Sequence, residues 1–532
     1  MKRWTRTSWA GIAAALAALL LLPGCFSEEK QGQPEASASD NEAAGGGARQ
    51  QEQTAGKLRI GILTGESQDR YYREAYTDIY EYMHPEWDIE IVPAVDTSRY
   101  RYLDPDSENV EAKAPIEELR KLTEGENPVD VLILDSETLR AASQNGWTEP
   151  LASYMEQSGV KEEEFAPGVI GGLKDLSGGE LHALAPEYAS SALYYNVDWF
   201  EKNQVKPPED GLSWEQAFAL ARAAGGQSDQ GQPVYGLSFT PTLAEDPLWG
   251  IRAYTEPLGI RTFDLQAEEM TVNTPEWLDV WSVLTEMTRQ GALPLDQRPG
   301  SAPDAYDPFG GDLFLGGKTA MTVADSSYAA DLQTAMNNAD RIEGFKPFRW
   351  RTVELPTHPG REELGAGVKL GDTFAITAAS TRKSQAWDFV RFVTSEQVQA
   401  MGLHDPYRMP SRLNVIAHEA EVYGYRAEAF TRLRPAEPIA EREDEAVQHN
   451  TQLWQISDAG RQLFLRVLRG DIPAKQGLEQ WENEGRRWLK GPFTEDGTLT
   501  FGEPPPSVRA VPAGLTPSIR LAFRAAGISF QS

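Results

Sequence analysis

Between residues 58 and 134, short alternating apolar runs take turns with longer stretches whose apolar residues recur at helical spacing, and few folds accommodate that order. Leu58-Arg59-Ile60-Gly61-Ile62-Leu63 alternates and stops at Gly65, as a strand does. From Asp69 to Met83 the residues Tyr72, Ala75, Tyr76, Ile79, Tyr80 and Met83 form a helical stripe. Asp88-Ile89-Glu90-Ile91-Val92 reads as a second strand, Ile116 to Thr123 as a helix, and Val129 to Leu134 as a buried strand ending at Asp135-Ser136. This alternation predicts an α/β chain with a largely parallel sheet covered by helices on both faces. Such sheets bind ligands beyond the carboxyl ends of their strands, which marks the Thr64–Gln68 loop and Asp135-Ser136 as candidate contacts.

The beginning of the chain obeys different rules. Lys2, Arg3 and Arg6 precede an apolar stretch from Trp9 to Leu22, the layout of a secretory signal peptide. The apolar core falls short of the roughly 20 residues that a spanning helix needs. It ends in Leu22-Pro23-Gly24-Cys25, which resembles the lipobox of bacterial lipoproteins. That resemblance implies removal of a signal peptide over 1–24, diacylglycerol on the Cys25 thiol, and an extracytoplasmic protein tethered to the outer face of the cell membrane. Cys25 is the chain's single cysteine, so no disulfide framework or cysteine metal site competes to explain it. Two or three acyl chains anchor stably, at about 0.8 kcal/mol per buried methylene, where one does not.

Residues 26–56 are rich in Ser, Glu, Gln, Gly and Ala and include Gly45-Gly46-Gly47, so 25–56 reads as the lipidated cysteine and a flexible linker. The remaining chain carries enough apolar residues for two sizeable cores. The formal net charge is −30, and loss of the leader removes three further positive charges. That acidity argues against nucleic-acid or anionic-lipid binding, both of which require basic patches.

From residue 177 the order of segments becomes specific. Leu181 to Tyr188 (LHALAPEY) is followed by Leu193 to Phe200 (LYYNVDWF), Pro207-Pro208, Ser213-Trp214-Glu215-Gln216-Ala217 and Val234-Tyr235-Gly236-Leu237. Then come Phe314 to Met321 (FLGGKTAM), Glu354-Leu355-Pro356, Gly371 to Thr377 (GDTFAIT), Ala386 to Phe392 (AWDFVRF) and Met409-Pro410-Ser411-Arg412. This succession resembles the sugar-binding family of extracellular solute-binding proteins of ABC importers, over roughly residues 57–490. Each segment also has a local reading. Ser213 with Gln216 three residues on is a capping box, Gly316-Gly317 supplies a turn, and Ser384 to Thr394 is amphipathic.

The resemblance implies a two-lobed periplasmic-binding-protein-like fold with a hinge and an interlobe cleft. The expected lobes are 57–178 plus 374–430, and 179–373 plus 431–490. Residues 491–532 form a C-terminal extension outside the resemblance. The implied protein is a monomeric receptor, without catalytic residues, cofactor or metal, that hands a mono- or oligosaccharide to a membrane permease. Binding of peptides or cationic solutes, a lipid-anchored glycoside hydrolase, and a sensor that does not import remain open alternatives.

Sugars present an apolar ring face to aromatic planes and hydroxyls to carboxylates or amides. The candidate ligand-binding residues are Glu66, Ser67, Asp135 and Ser136 in the first lobe. Around the hinge and second lobe they are Glu187, Tyr188, Trp249, Tyr254, Asp325, Ser326, Tyr328, Asp372 and Thr373. Asp135-Ser136 equally suits a helix cap, and Trp249 and Tyr254 equally suit a core. Asp325 and Ser326 stand where the family often places an aromatic contact, a role then expected of Tyr328. Five acids in this set also suit a cationic solute. Elsewhere, His84, His182, His358, His404, His418 and His449 form no zinc spacing. Asp104 to Pro115 opens like a calcium loop but has Asn109 in place of glycine and Pro115 in place of the final glutamate. No nucleophile elbow or phosphate loop occurs.

Overall fold

The computed structural model describes residues 56–66, 69–99, 115–264, 268–295, 307–402, 407–449 and 451–489. The expected signal peptide, Cys25, the linker, the segment 104–114 and the C-terminal extension lie outside the described residues, as does Ser67. The strands that build the site are, in chain order, β1 (Gly56–Gly65), β2 (Trp87–Asp96), β3 (Val131–Leu134), β4 (Ala183–Leu184), β5 (Glu187–Ala189) and β6 (Ser191–Asn196). They continue with β7 (Met321–Asp325), β8 (Trp350–Glu354), β9 (Lys369–Leu370), β10 (Thr373–Ile376) and β11 (Met409–Pro410).

The first sheet has the order β2-β1-β3-β10-β4. β1 pairs in parallel with β2 and β3, and β10 enters antiparallel between β3 and β4. Alternation along the strands sorts side chains onto two faces. Phe374, opposite Ile133, meets Tyr76 and Phe389 from helices on one face. Gly61 and Leu132 point to the other, beside Leu122 of the helix Pro115–Glu124. The helical covering expected from the sequence is therefore present on both sides. β4 belongs to this sheet, paired with β10 at its edge.

The second sheet is β7-β6-β8, both outer strands antiparallel to β6. Tyr194 of β6 packs on Tyr328, Trp350 and Phe430. The helix Trp214–Ala224 starts with the expected capping box: Ser213 accepts from the Gln216 N–H while Gln216 returns a bond to the Ser213 N–H. Farther out, Trp281 stacks on Trp481 at 5.7 Å, and Gly460 makes room for it, since a Cβ there would lie 2.3 Å from the Trp481 ring.

Between the two sheets the chain crosses three times, and the crossings are themselves hydrogen-bonded. β5 pairs antiparallel with β9 and with β11, so the hinge is a three-stranded ribbon, not three loose linkers. Its centre is buried: Tyr188 has no exposed surface, and its hydroxyl donates to the Phe430 carbonyl at 3.2 Å.

Candidate functional site

Four acidic positions converge at one end of the first sheet because of strand direction. β1 ends at Gly65-Glu66, β3 ends at Asp135, β4 runs on into Glu187, and antiparallel β10 begins just after Asp372. Asp135 is indeed a helix cap: its carboxylate accepts from the Thr138 N–H and hydroxyl, both at 2.8 Å, while the residue stays exposed. Ser136 opens that helix and is half-buried. The Glu66 carbonyl accepts the Asp69 N–H at 3.0 Å.

Asp372 is the most elaborately held of these acids. The hydroxyls of Tyr71 and Tyr76 both donate to its Oδ2, at 3.2 and 3.0 Å. Burial pushes its carboxyl above the usual aspartate range, against the opposing pull of the two tyrosines and Arg408. The Tyr71 phenol is raised in turn by burial and by the Asp372 charge. Beside it, Arg408 donates to Glu187 Oε1 at 3.2 Å, linking β5 to the approach of β11. Gly371 is threaded past this pair: a Cβ there would lie 2.5 Å from Arg408 Nη1 and 2.9 Å from the Glu187 carbonyl oxygen.

On the second-lobe side, a cleft of about 460 Å³ opens where β7 meets the hinge. Trp249, Tyr407, Asp325, Tyr328, Arg252, Glu256, Asp331 and Lys369 line it. Trp249 is 54% and Tyr407 67% exposed, so both rings present open surface at the cleft. Arg252 is committed by a bidentate pair with Asp444, both contacts at 2.6 Å. Glu256 accepts the Gly367 N–H at 3.0 Å, and Asp325 caps Ser327. Burial, assisted by Asp325, raises the Asp331 carboxyl.

The residues expected from the sequence thus part into two groups. Trp249, Asp325 and Tyr328 meet in the second-lobe cleft, while Glu66, Asp135, Glu187 and Asp372 gather at the first sheet's edge. The others have structural occupations. Tyr254 turns its ring into a cluster with Trp214, Phe218 and His358, its hydroxyl pushed up by burial to about 12. Thr373 is fully buried and donates to the Leu134 carbonyl at 2.7 Å. Tyr188 is hinge core, and Ser326 starts the turn into the helix Tyr328–Asn337 without lining the cleft. Sequence reasoning missed Tyr71, Tyr76, Lys369, Tyr407 and Arg408. Only the tyrosine density after β1 could have flagged the first two, and that stripe reads equally as core.

Among the described residues no group of three or more His, Cys, Asp or Glu is arranged to hold a metal, and no helix is long and apolar enough to cross a membrane. The sequence profile of the bacterial extracellular solute-binding proteins matches residues 108–400, more than half of the chain. Among solved structures, the chain is similar to an extracellular solute-binding protein family 1 from Alicyclobacillus acidocaldarius, at 17% identity and a TM-score of 0.53, covering 82% of this chain and 98% of that one. It also matches the sugar-binding protein MalE of Xanthomonas citri at 15% identity and a TM-score of 0.48, covering 82% and 97% of the two chains. At these identities the first likeness establishes the fold, and the second adds nothing to it. A two-lobed fold with its cleft at a triple hinge, together with the profile match, places this chain in the family of bacterial extracellular solute-binding proteins, the receptors of ABC transporters, which bind and do not catalyse.

Proposed function

We propose that the protein is a lipid-anchored receptor that captures a mono- or oligosaccharide between its lobes and presents it to a membrane permease for import. The observation that carries the sugar reading is the pair of exposed aromatic faces, Trp249 and Tyr407, on one cleft that also holds Asp325, Asp331 and Glu256. Sugar rings stack on such planes, and their hydroxyls donate to carboxylates. The lobes divide at β5, β9 and β11, and closure about that ribbon brings Asp135 and Asp372 towards the second-lobe cleft. Ligand then shifts the open–closed equilibrium by its differential affinity for the closed form. Support for the anchor is the Leu22-Pro23-Gly24-Cys25 motif with the chain's single cysteine.

A thermal-unfolding screen of the full-length protein tests the reading, with mono- and oligosaccharides, peptides and cationic metabolites as separate panels. A solute at 100 times its dissociation constant adds about 2.7 kcal/mol of stability, well within detection. Stabilisation by a saccharide with no chemical change supports the proposal. Stabilisation by peptides or cations alone overturns the sugar assignment, to which the acidity of the first-lobe edge would then be the clue. Cells fed a labelled fatty acid should label the wild type and not Cys25→Ser; equal labelling of both overturns the anchor.

A further inference from the structure

The helix that follows β1 is not regular. Arg70–Tyr72 and Asp78–Met83 are α-helical, but Arg73–Thr77 between them is a π turn, closed by the Asp78 N–H bonding the Arg73 carbonyl five residues back. On an ideal α-helix, residues five apart diverge by roughly 140°. A π turn takes in one extra residue and brings such positions onto one face, and single π turns gather at functional sites. Here the positions five apart are Tyr71 and Tyr76, and both hydroxyls end on the same atom, Asp372 Oδ2. Their rings meet edge-on at 6.1 Å.

What the irregularity serves is visible in the surroundings of Asp372. The residue lies between hinge strand β9 and sheet strand β10, three positions after Lys369 of the cleft lining. Both tyrosine bonds terminate on Oδ2, and among the described residues no hydrogen bond ends on Oδ1. Asp372 is half-buried, Tyr76 is buried, and Tyr71 is 54% exposed. Arg408, the cation nearest in charge influence, is directed to Glu187.

We infer that Asp372 is the acceptor on which the first lobe seats the solute, and that Tyr71 and Tyr76 are positioning residues which the π turn brings together to fix that carboxylate. The inference rests on the carbohydrate reading for the chemistry of the seated group, a hydroxyl donating to Oδ1. The clamp itself does not depend on it. Two donors on one oxygen leave the carboxylate a single orientation, so closure meets a preformed acceptor and not a freely rotating one.

The test uses the full-length chain and titration calorimetry with glucose, maltotriose and xylobiose. Asp372→Asn and Tyr71→Phe should each weaken the sugar that binds by tenfold or more, with melting temperatures close to the parent. The double variant should be no weaker than Asp372→Asn alone, because the tyrosine acts through the carboxylate. Deleting Ala75, which removes the extra residue, should reproduce the Tyr71→Phe loss. Additive losses, or parental affinity in Asp372→Asn, overturn the inference. If none of the three sugars binds the parent, the carbohydrate reading is what fails, and the clamp is judged by tyrosinate absorbance. A lower ionisation midpoint for Tyr71 in Asp372→Asn than in the parent, read as a difference spectrum, supports it; superimposable titrations overturn it.

Discussion

The hydroxyl of Tyr328 lies 3.0 and 2.9 Å from the two carboxylate oxygens of Asp312, which also accepts the N–H groups of Phe314 and Leu315. The ring of Tyr328 borders the cleft, but its polar end is committed to holding the turn that leads into β7. Tyr328→Phe should therefore lower stability by about 1–2 kcal/mol, the cost of leaving a buried acceptor short of a donor. Urea unfolding reads this loss, and solute affinity should stay within about twofold. A large affinity loss at parental stability would return Tyr328 to the ligand contacts.

Trp249 invites the opposite division. More than half of its surface is open, so Trp249→Ala should leave unfolding free energy within about 0.5 kcal/mol of the parent. Solute affinity should fall about tenfold or more, equivalent to about 1.4 kcal/mol. Tyr254→Ala, which empties a place in the Trp214–Phe218 cluster, should instead cost about 3 kcal/mol of stability. Calorimetric titration and denaturant curves on the two variants separate platform from core.

Gly371→Ala addresses the hinge. The added methyl would meet Arg408 Nη1 at 2.5 Å and the Glu187 carbonyl oxygen at 2.9 Å, so the Glu187–Arg408 pair must move. Overpacking of this kind costs about 1–3 kcal/mol. A denaturation midpoint equal to or above the parent's would show that the crossing has slack.

A pH-dependent contribution is expected from Asp210, whose two oxygens take Arg426 at 3.2 and 2.8 Å. Burial pushes this carboxyl up, but the Arg426 hydrogen bonds and the Glu354 N–H outweigh it and hold the group below the usual aspartate range. A carboxyl depressed by folding stabilises above its unfolded value, near 3.9, and loses that contribution as the pH falls through the folded value. Asp210→Asn should cost up to about 1 kcal/mol at pH 7, as for a partly exposed pair, with the difference shrinking below about pH 4. Melting temperatures of both proteins at pH 7, 5 and 3.5 give the comparison.

What could be read from the sequence followed from local rules. The β1, β2 and β3 runs, the capping box at Ser213 and the amphipathic helix realised as Lys383–Val393 rest on periodicity or on residues a few positions apart. Strand-end logic likewise pointed to Asp135 and Ser136, whereas Asp372 was expected at the hinge or second lobe from the family resemblance. The stripe from Tyr72 to Met83 gave the helix but hid its π turn, because one extra residue barely disturbs the pattern of apolar positions. Arg408, Tyr407 and Lys369 reach the site through hinge pairing with β5, and nothing near them in the chain announces that pairing. Tyr254 and Trp249, five residues apart, went to core and cleft respectively, a choice made by Trp214 and His358 far away in sequence.

The placement of β10 makes completion of the first sheet a long-range event in the chain. Thr373 bonds the Leu134 carbonyl across 239 residues, and β4 joins the sheet only through β10. Until residue 376 is free to fold, β3 keeps an open edge and β4 has no place in the sheet, while the second sheet's strands β6 and β7 are already complete enough to pair. Closing so long a loop is slow, and exposed strand edges pair with wrong partners. Insertion of one four-residue strand therefore completes the first sheet, and the β3 edge is shielded only once that strand arrives.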